Sequence, residues 1–273
     1  MRVWMNGRLL DDATAPAVAI TDHGFTVGDG VFEAIKVVNG TPFALTRHLA
    51  RLDDSAAALA LPKIDHDVVR RGIEAVLDGY DEPAGRLRIT YTAGPAPLGS
   101  GRGDAEPTLV VAVAPLGRWP EKTEVVTVPW PRNERGALAG VKSTSYAENV
   151  IALHHAHERD ASEAIFANLQ GHLCEGTGSN VFYVVDGELR TPTIASGCLA
   201  GITRALIVEW SGAVEIDEPL EQVRARASEV FLASTTRDAQ AVVRWDDKTY
   251  DVGPVTKQVQ ATWREREAAD QDP

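Results

Sequence analysis

Gly140-Val141-Lys142-Ser143-Thr144-Ser145-Tyr146 is the stretch around which the chain is organised. Lys142 is one of six lysines in 273 residues. The run before it, Gly136-Ala137-Leu138-Ala139-Gly140-Val141, is small, apolar and uncharged. A helical pattern follows it, from about 145 to 160. Burial disfavours an ammonium ion and lowers its pKa. Those are the conditions for a nucleophilic or Schiff-base amine. The plainer alternative is a half-exposed lysine whose stem covers a loop. This stretch alone does not choose between them.

At 273 residues the chain holds one large domain or two modest ones. Its 44% hydrophobic and 24% charged content is that of an ordinary globular protein. A net charge of -12 argues against nucleic acid and against an anionic membrane surface as partners. No apolar run approaches the roughly 18 residues of a membrane span. The first seven residues, Met1-Arg2-Val3-Trp4-Met5-Asn6-Gly7, lack the apolar core of a signal peptide. Two cysteines, Cys174 and Cys198, suit a reducing compartment. The expected location is cytoplasmic.

Working outward, residues 2–5 and 8–10 form a hairpin around Asn6-Gly7. Val27-Gly28-Asp29-Gly30 is a glycine-rich turn before a strand at 31–38, which Asn39-Gly40 turns back. Thr46 caps a helix that Pro62 stops, and Asp65 caps a second one through Leu77. Strands follow at 86–93 and 107–114, parted by a glycine-rich loop at 94–103 that would serve an enzyme as a lid. A linker at 116–122 separates a small domain, 1–115, from a larger one, 123–273. The latter carries strands at 124–129, 162–168, 179–185, 187–190, 230–233 and 239–244. Its later helices lie at 201–210, 221–227 and 254–267, and the polar end from 268 frays. Strands and helices mix without regular alternation. The class is therefore α/β, with two domains and mixed sheets.

Three places suit a phosphate. Gly201-Ile202-Thr203 lies where a loop becomes a helix, so free N–H groups and a hydroxyl point outward. Ser234-Thr235-Thr236 ends a strand with consecutive hydroxyls. Arg51 lies on the first long helix. Each also reads as a helix cap, a polar turn or a solvated face. Glu175, in Cys174-Glu175-Gly176-Thr177-Gly178-Ser179-Asn180, stands between a strand and a turn, where an anion can keep a ring nitrogen protonated. A lysine for a Schiff base, an acid and phosphate donors together describe a pyridoxal 5'-phosphate site. The His154-His155-Ala156-His157 cluster is a candidate metal site on residue type alone. On a helix, 155 points away from 154 and 157, so a solvated cluster is the expectation and no metal is assigned.

Several motifs carry a resemblance to a known family. They are Gly28-Asp29-Gly30-Val31-Phe32-Glu33, the helix with His48 and Arg51-Leu52, Lys142 to Tyr146, Glu175 with Ser179-Asn180-Val181-Phe182, and Leu199-Ala200-Gly201-Ile202-Thr203-Arg204. In that order they resemble the class IV aminotransferases, the fold type IV pyridoxal-phosphate enzymes. The resemblance spans nearly the whole chain. It implies a small N-terminal α/β domain and a larger C-terminal domain with a mixed, barrel-like sheet. It implies Lys142 as the Schiff-base lysine and catalytic acid/base, and Glu175 as partner of the pyridine nitrogen. Arg51, Gly201, Ile202, Thr203, Ser234 and Thr235 would hold the phosphate, Leu199 would lie on the ring, and Tyr146 would meet the phenolic oxygen. Family members are homodimers or larger, and the 94–103 loop would reach the neighbouring subunit's site.

Within the family, the stretches 142–165, 234–236 and 24–52 resemble D-amino acid aminotransferases. The substrate-carboxylate arginine and histidine of that group are replaced by Leu98 and Ser100. Arg102, Arg132 or Arg135 could rebuild the trap, with Phe32, Thr235 and Thr236 also at the substrate. Phe32 is as in branched-chain enzymes, and 132–142 resembles aminodeoxychorismate lyase. The expected activity is transfer of an amino group from D-amino acids, and some (R)-amines, to 2-oxo acids. The lyase and the branched-chain L-amino acid aminotransferase are the alternatives.

Overall fold

The computed structural model describes residues 1–273. They form two compact units, one of residues 1–117, 141–145 and 271–273, the other of 118–140 and 146–270. No helix is long and apolar enough to cross a membrane.

The first unit contains β1 (Arg2–Met5), β2 (Arg8–Leu9), α1 (His23–Thr26), β3 (Gly30–Val38), β4 (Thr41–Pro42), α2 (Leu45–Ala58), α3 (His66–Leu77), β5 (Ala84–Thr92) and β6 (Thr108–Pro115). Its strands make one sheet in the order β2-β1-β6-β5-β3-β4, antiparallel at every pairing. Asn6-Gly7 and Asn39-Gly40 both take positive φ, which matches the right-handed twist of the strands they join. Along β5, Leu87, Ile89 and Tyr91 are buried while Arg86 and Arg88 are exposed. A one-residue slip would put both arginines in the core, so register is strongly specified. Leu49, Leu52 and Ala56 of α2, with Val69, Ile73 and Val76 of α3, join this face in one apolar cluster. Each fully buried aliphatic side chain there contributes about 1.5–3 kcal/mol.

The second unit contains β7 (Lys122–Thr127), α4 (Ala147–His157), β8 (Glu163–Ala167), β9 (Leu173–Gly176), β10 (Asn180–Val185), β11 (Glu188–Thr191), α5 (Ile202–Ser211), β12 (Val214–Glu215), α6 (Leu220–Arg226), β13 (Glu229–Ser234), β14 (Asp238–Trp245), β15 (Lys248–Thr249) and α7 (Pro254–Ala269). Its nine strands run β12-β11-β10-β13-β14-β7-β8-β9, with β15 on β14. Mixed pairing is confined to this sheet: β7 is parallel to both β14 and β8, and β11 to β12. Every residue of β10 is buried. Val181, Tyr183 and Val185 join one cluster with Leu220 and Val223 of α6, while Phe182 stacks on Phe231 at 4.9 Å. A strand covered on both faces reads as an unbroken apolar run, which is why Asn180 to Val185 shows no alternation.

Some local expectations are corrected. Thr46 is not the cap of α2; Ala44 is, in a left-handed conformation. The Thr46 hydroxyl and amide instead donate to Asp272, and the Ala44 amide donates to the Gln271 carbonyl at 2.7 Å. The end of the chain is therefore tied to the first unit rather than frayed. Helix α2 stops before Pro62, at Ala58, because Ala60 turns left-handed and the Leu61 amide closes on the Ala56 carbonyl. The strand β9, which carries Glu175, was not foreseen at all. It is four residues long and ends in glycine, too short for a period to show.

The segment 141–145 lies along β3. Val31 and Ser143 form an antiparallel bridge, the Phe32 amide donates to the Lys142 carbonyl at 3.0 Å, and the Thr144 amide donates to Gly30 at 2.8 Å. A Cβ on Gly30 would sit 2.9 Å from the Tyr91 carbonyl oxygen and 3.2 Å from Thr144 Oγ1. Gly30→Ala is therefore expected to destabilise the protein by about 1–3 kcal/mol through overpacking. Urea denaturation reads this, and an unchanged midpoint would contradict it.

Candidate active site

Glu33 is the one acid on the core face of β3, with Val31, Ile35 and Val37 around it. A carboxylate there must be paired. Arg51 Nε donates to Glu33 Oε1 at 2.8 Å and Nη2 to Oε2 at 2.7 Å, a two-pronged contact. His48 Nδ1 lies 2.7 Å from Oε2. Positions 48 and 51 share a helix face, so α2 presents both groups to one strand position. Burial pushes Glu33 upward, but the Arg51 charge and the bonds from His48 and Arg51 outweigh it and leave the pKa at about 2. Burial pushes His48 down, and the nearby Arg51 and Lys142 charges act the same way. The imidazole is therefore neutral at pH 7, and its Nδ1–H donates to Glu33. Arg47, the other arginine of this helix, donates to the Pro273 carbonyl instead.

Lys142 is half-buried in the same unit. Its amide donates to Ser55 Oγ on α2 at 3.3 Å, and its Nζ stands 4.4 Å from the centre of the Phe32 ring. Phe32 also carries the Arg88 guanidinium at 3.8 Å. A cation over a ring face is held by about 0.5–2 kcal/mol. The first unit thus gathers Lys142, Arg51 and Phe32.

The 94–103 loop of this unit is anchored by Arg102. Its Nε and Nη2 donate to Asp29 at 2.7 and 2.6 Å, and it caps the Leu59 and Ala60 carbonyls at 2.6 and 2.8 Å. Arg102, one of three arginines that could rebuild a carboxylate trap, is here engaged in the fold. Leu98 is exposed, and so is Ser100.

In the second unit Glu175 is the third residue of β9, paired across from Phe166 beside a bulge. Its Oε2 accepts from the Leu199 amide at 2.9 Å, and its Oε1 lies 3.1 Å from Arg132 Nε. Arg132 also donates to Glu148 at 2.6 Å and Asn149 at 3.0 Å, and stands 4.1 Å over Phe166. Arg132 is thus the ion-pair partner of Glu175, a pairing the sequence did not indicate. Helix α5 begins at Ile202 with Gly201 at the cap position and no side chain closing its first turn. A Cβ on Gly201 would collide with Asn180 Oδ1, so only glycine brings this turn so close to Asn180. Thr203 is buried and Leu199 half-buried. Ser234 ends β13, and Thr235, Thr236 and Arg237 make the loop to β14. Asp238 follows with φ 55°, which completes a three-residue hairpin loop. Tyr146 caps α4 with its carbonyl, which accepts from the Val150 amide at 3.0 Å. Arg135 is exposed beside Glu134 at 3.8 Å.

The model of the class IV aminotransferases matches residues 30–245. The chain belongs to the class IV aminotransferases. It is 32% identical to the D-alanine aminotransferase of Bacillus licheniformis over 276 residues, 95% of each chain. It is 29% identical to the bifunctional aminodeoxychorismate lyase / D-amino acid transaminase of Mycobacterium tuberculosis, over 80% of each. Among solved structures, the branched-chain aminotransferase of Thermoproteus uzoniensis with norvaline matches with a TM-score of 0.89 at 27% identity, covering 97% of this chain and 94% of that one.

Enzymes of this family use pyridoxal phosphate. The residues of this chain fit that group. The first unit supplies an amine and a fixed guanidinium. The second supplies a carboxylate anchored by Arg132 and an amide, an uncapped helix start and a hydroxyl-bearing hairpin loop. That is the donor set a phosphorylated pyridine aldehyde requires.

Glu33 gives a pH signature. Its pKa falls from 4.5 to about 2 on folding. A depressed carboxylate stabilises the fold above its unfolded value and loses that contribution as pH falls through the folded one. The depressed His48 acts in the same direction from higher pH. Glu33→Gln is expected to cost about 3 kcal/mol at pH 7, and the gap to wild type should shrink between pH 4.5 and 2. Urea titrations across that range measure it; a gap independent of pH would contradict it.

Proposed function

We propose that this enzyme moves the amino group of D-amino acids, and of some (R)-amines, to 2-oxo acids. The observation that carries the reading is the identity to D-alanine aminotransferase, 32% over 95% of both chains. Pyridoxal phosphate, when bound, supplies a ring that accepts electrons as the Cα–H bond breaks. Lys142 would hold the cofactor through its amine; once a substrate amine displaces it, the freed Nζ would take the proton from Cα and return it to the cofactor side. Glu175, which faces Arg132 and accepts from the Leu199 amide, would accept a hydrogen bond from the protonated ring nitrogen, with Leu199 beside the ring. The amides of Ile202 and Thr203, close-packed through Gly201, bind the phosphate with Ser234, Thr235 and Arg51. Tyr146 donates to the phenolic oxygen. Phe32, Thr235, Thr236 and Arg135 line the substrate side. With Arg102 bound to Asp29, the loop offers no guanidinium to a substrate carboxylate. That supports acceptance of amines without one.

A second reading, pyruvate elimination from aminodeoxychorismate, is favoured by the bifunctional relative. It uses the same proton removal by Lys142 and differs in the group that leaves. The visible spectrum of the purified enzyme, with D-alanine and then L-leucine added without acceptor, separates the readings. Conversion of the cofactor to its amine form by D-alanine is expected. A response to L-leucine alone, or turnover of aminodeoxychorismate alone, would overturn the proposal.

Lys142→Ala is expected to abolish the visible band of the lysine-bound cofactor and to lower turnover by about 10²–10⁴-fold. Steady-state kinetics and absorbance check this, and a normal rate would remove Lys142 from the mechanism.

A further inference from the structure

Glu163, at the start of β8, has a side chain only 2% exposed and has no part in the chemistry above. Its Oε1 accepts from the Thr177 amide at 2.9 Å, from the Thr177 hydroxyl, and from the Ala164 amide at 3.3 Å. Its Oε2 accepts from the Ser179 hydroxyl at 3.3 Å and lies 3.4 Å from Arg237 Nη2. Thr177 and Ser179 form the turn that leaves β9 directly after Glu175. Arg237 is the last residue of the hairpin loop that carries Thr235 and Thr236. Its side chain is 6% exposed. It also donates to the Ser162 carbonyl at 3.2 Å and to Gln240 Oε1 at 2.5 Å, and it lies 3.9 Å over the Trp119 ring.

We propose that Glu163 is a positioning residue for the cofactor. One oxygen sets the turn behind Glu175. The other, through Arg237, sets the hydroxyl loop at 234–236. The inference rests on the assignment of Glu175 and Thr235 made under the proposed function. A buried ion pair adds little stability over apolar packing of the same volume. What it supplies is direction, and a binding constellation must be held to within about 0.5 Å. Burial pushes the Glu163 carboxyl up, and Arg237 with the Thr177 amide opposes that push. The group therefore stands between the two turns, bonded to one and ion-paired to the other.

The test titrates pyridoxal phosphate into the apoprotein and follows its absorbance. Glu163→Gln keeps an acceptor for the Thr177 amide but presents a neutral group to Arg237. The Kd is expected to rise about tenfold, with kcat falling more than KM changes, while the melting temperature of the apoprotein moves by only a few degrees. Arg237→Met is expected to weaken binding similarly, and the double variant should be no weaker than the weaker single one, because both act through one contact. An unchanged Kd overturns the proposal. So does additive weakening, or a lowered melting temperature with normal cofactor binding. If Glu163→Gln does not fold, Arg237→Lys carries the test, since it keeps the charge and loses the planar fork. There a normal Kd is the overturning result. Thr235→Val and Glu175→Gln separate the two levels. Normal cofactor binding in both would remove the site assignment itself. Weakened binding in them, with none in Glu163→Gln, would remove only the role of Glu163.

Discussion

The pairing of residues 141–145 with β3 is the constraint on which the first unit's chemistry depends. A lysine in a loop would sample many positions, and an amine that forms a bond must hold one. Here the backbone on both sides of Lys142 is bonded: its carbonyl to Phe32, its amide to Ser55, and the Thr144 amide to Gly30. The Thr144 and Ser145 hydroxyls add bonds to the Gly28 carbonyl at 2.9 and 3.1 Å. This close approach needs glycine at 28 and 30. Gly28 has φ 70°, and a Cβ there would lie 2.7 Å from Ser145 Oγ. The glycine-rich turn and the lysine segment, more than a hundred residues apart, are two halves of one contact.

Paired charge recurs in both units. Glu33 fixes Arg51, Arg132 fixes Glu175, and Glu163 faces Arg237. Such pairs gain little over apolar packing in stability. The Glu33–Arg51 pair gains geometry, because a guanidinium fork and a carboxylate meet in few orientations. The apolar clusters stabilise the fold around them, and the charged pairs decide where the reactive groups point.

Much of this was legible in the chain. Period-two patterning in β5, the Asn-Gly turns and the Asp65 cap of α3 each follow from local chemistry, and each stands where that chemistry places it. The lysine stretch, the acid after Cys174 and the small-residue start of α5 were visible because their residue types are unusual for their context. The partners were less visible. Glu33 could have been found as the lone acid on an apolar strand face, whereas Arg132 and Arg237 look like surface arginines. The C-terminal residues are settled by a distant partner, Ala44 with Gln271, while α2 ends earlier than Pro62 requires because Ala60 turns left-handed.

The sequence by itself determined the family and the mixed α/β class, and it marked the candidate reactive groups. Those follow from motif order, periodicity and side-chain chemistry, all local properties of the chain. Only the tertiary structure decided what each group is bonded to: that Arg102 holds Asp29 rather than waiting for a substrate, that Arg132 serves Glu175, and that Glu163 stands between two turns. The reason is physical. A charged side chain has the same composition and propensity whether it faces water, a ligand or a buried partner, and the choice among them is made by residues far away in sequence.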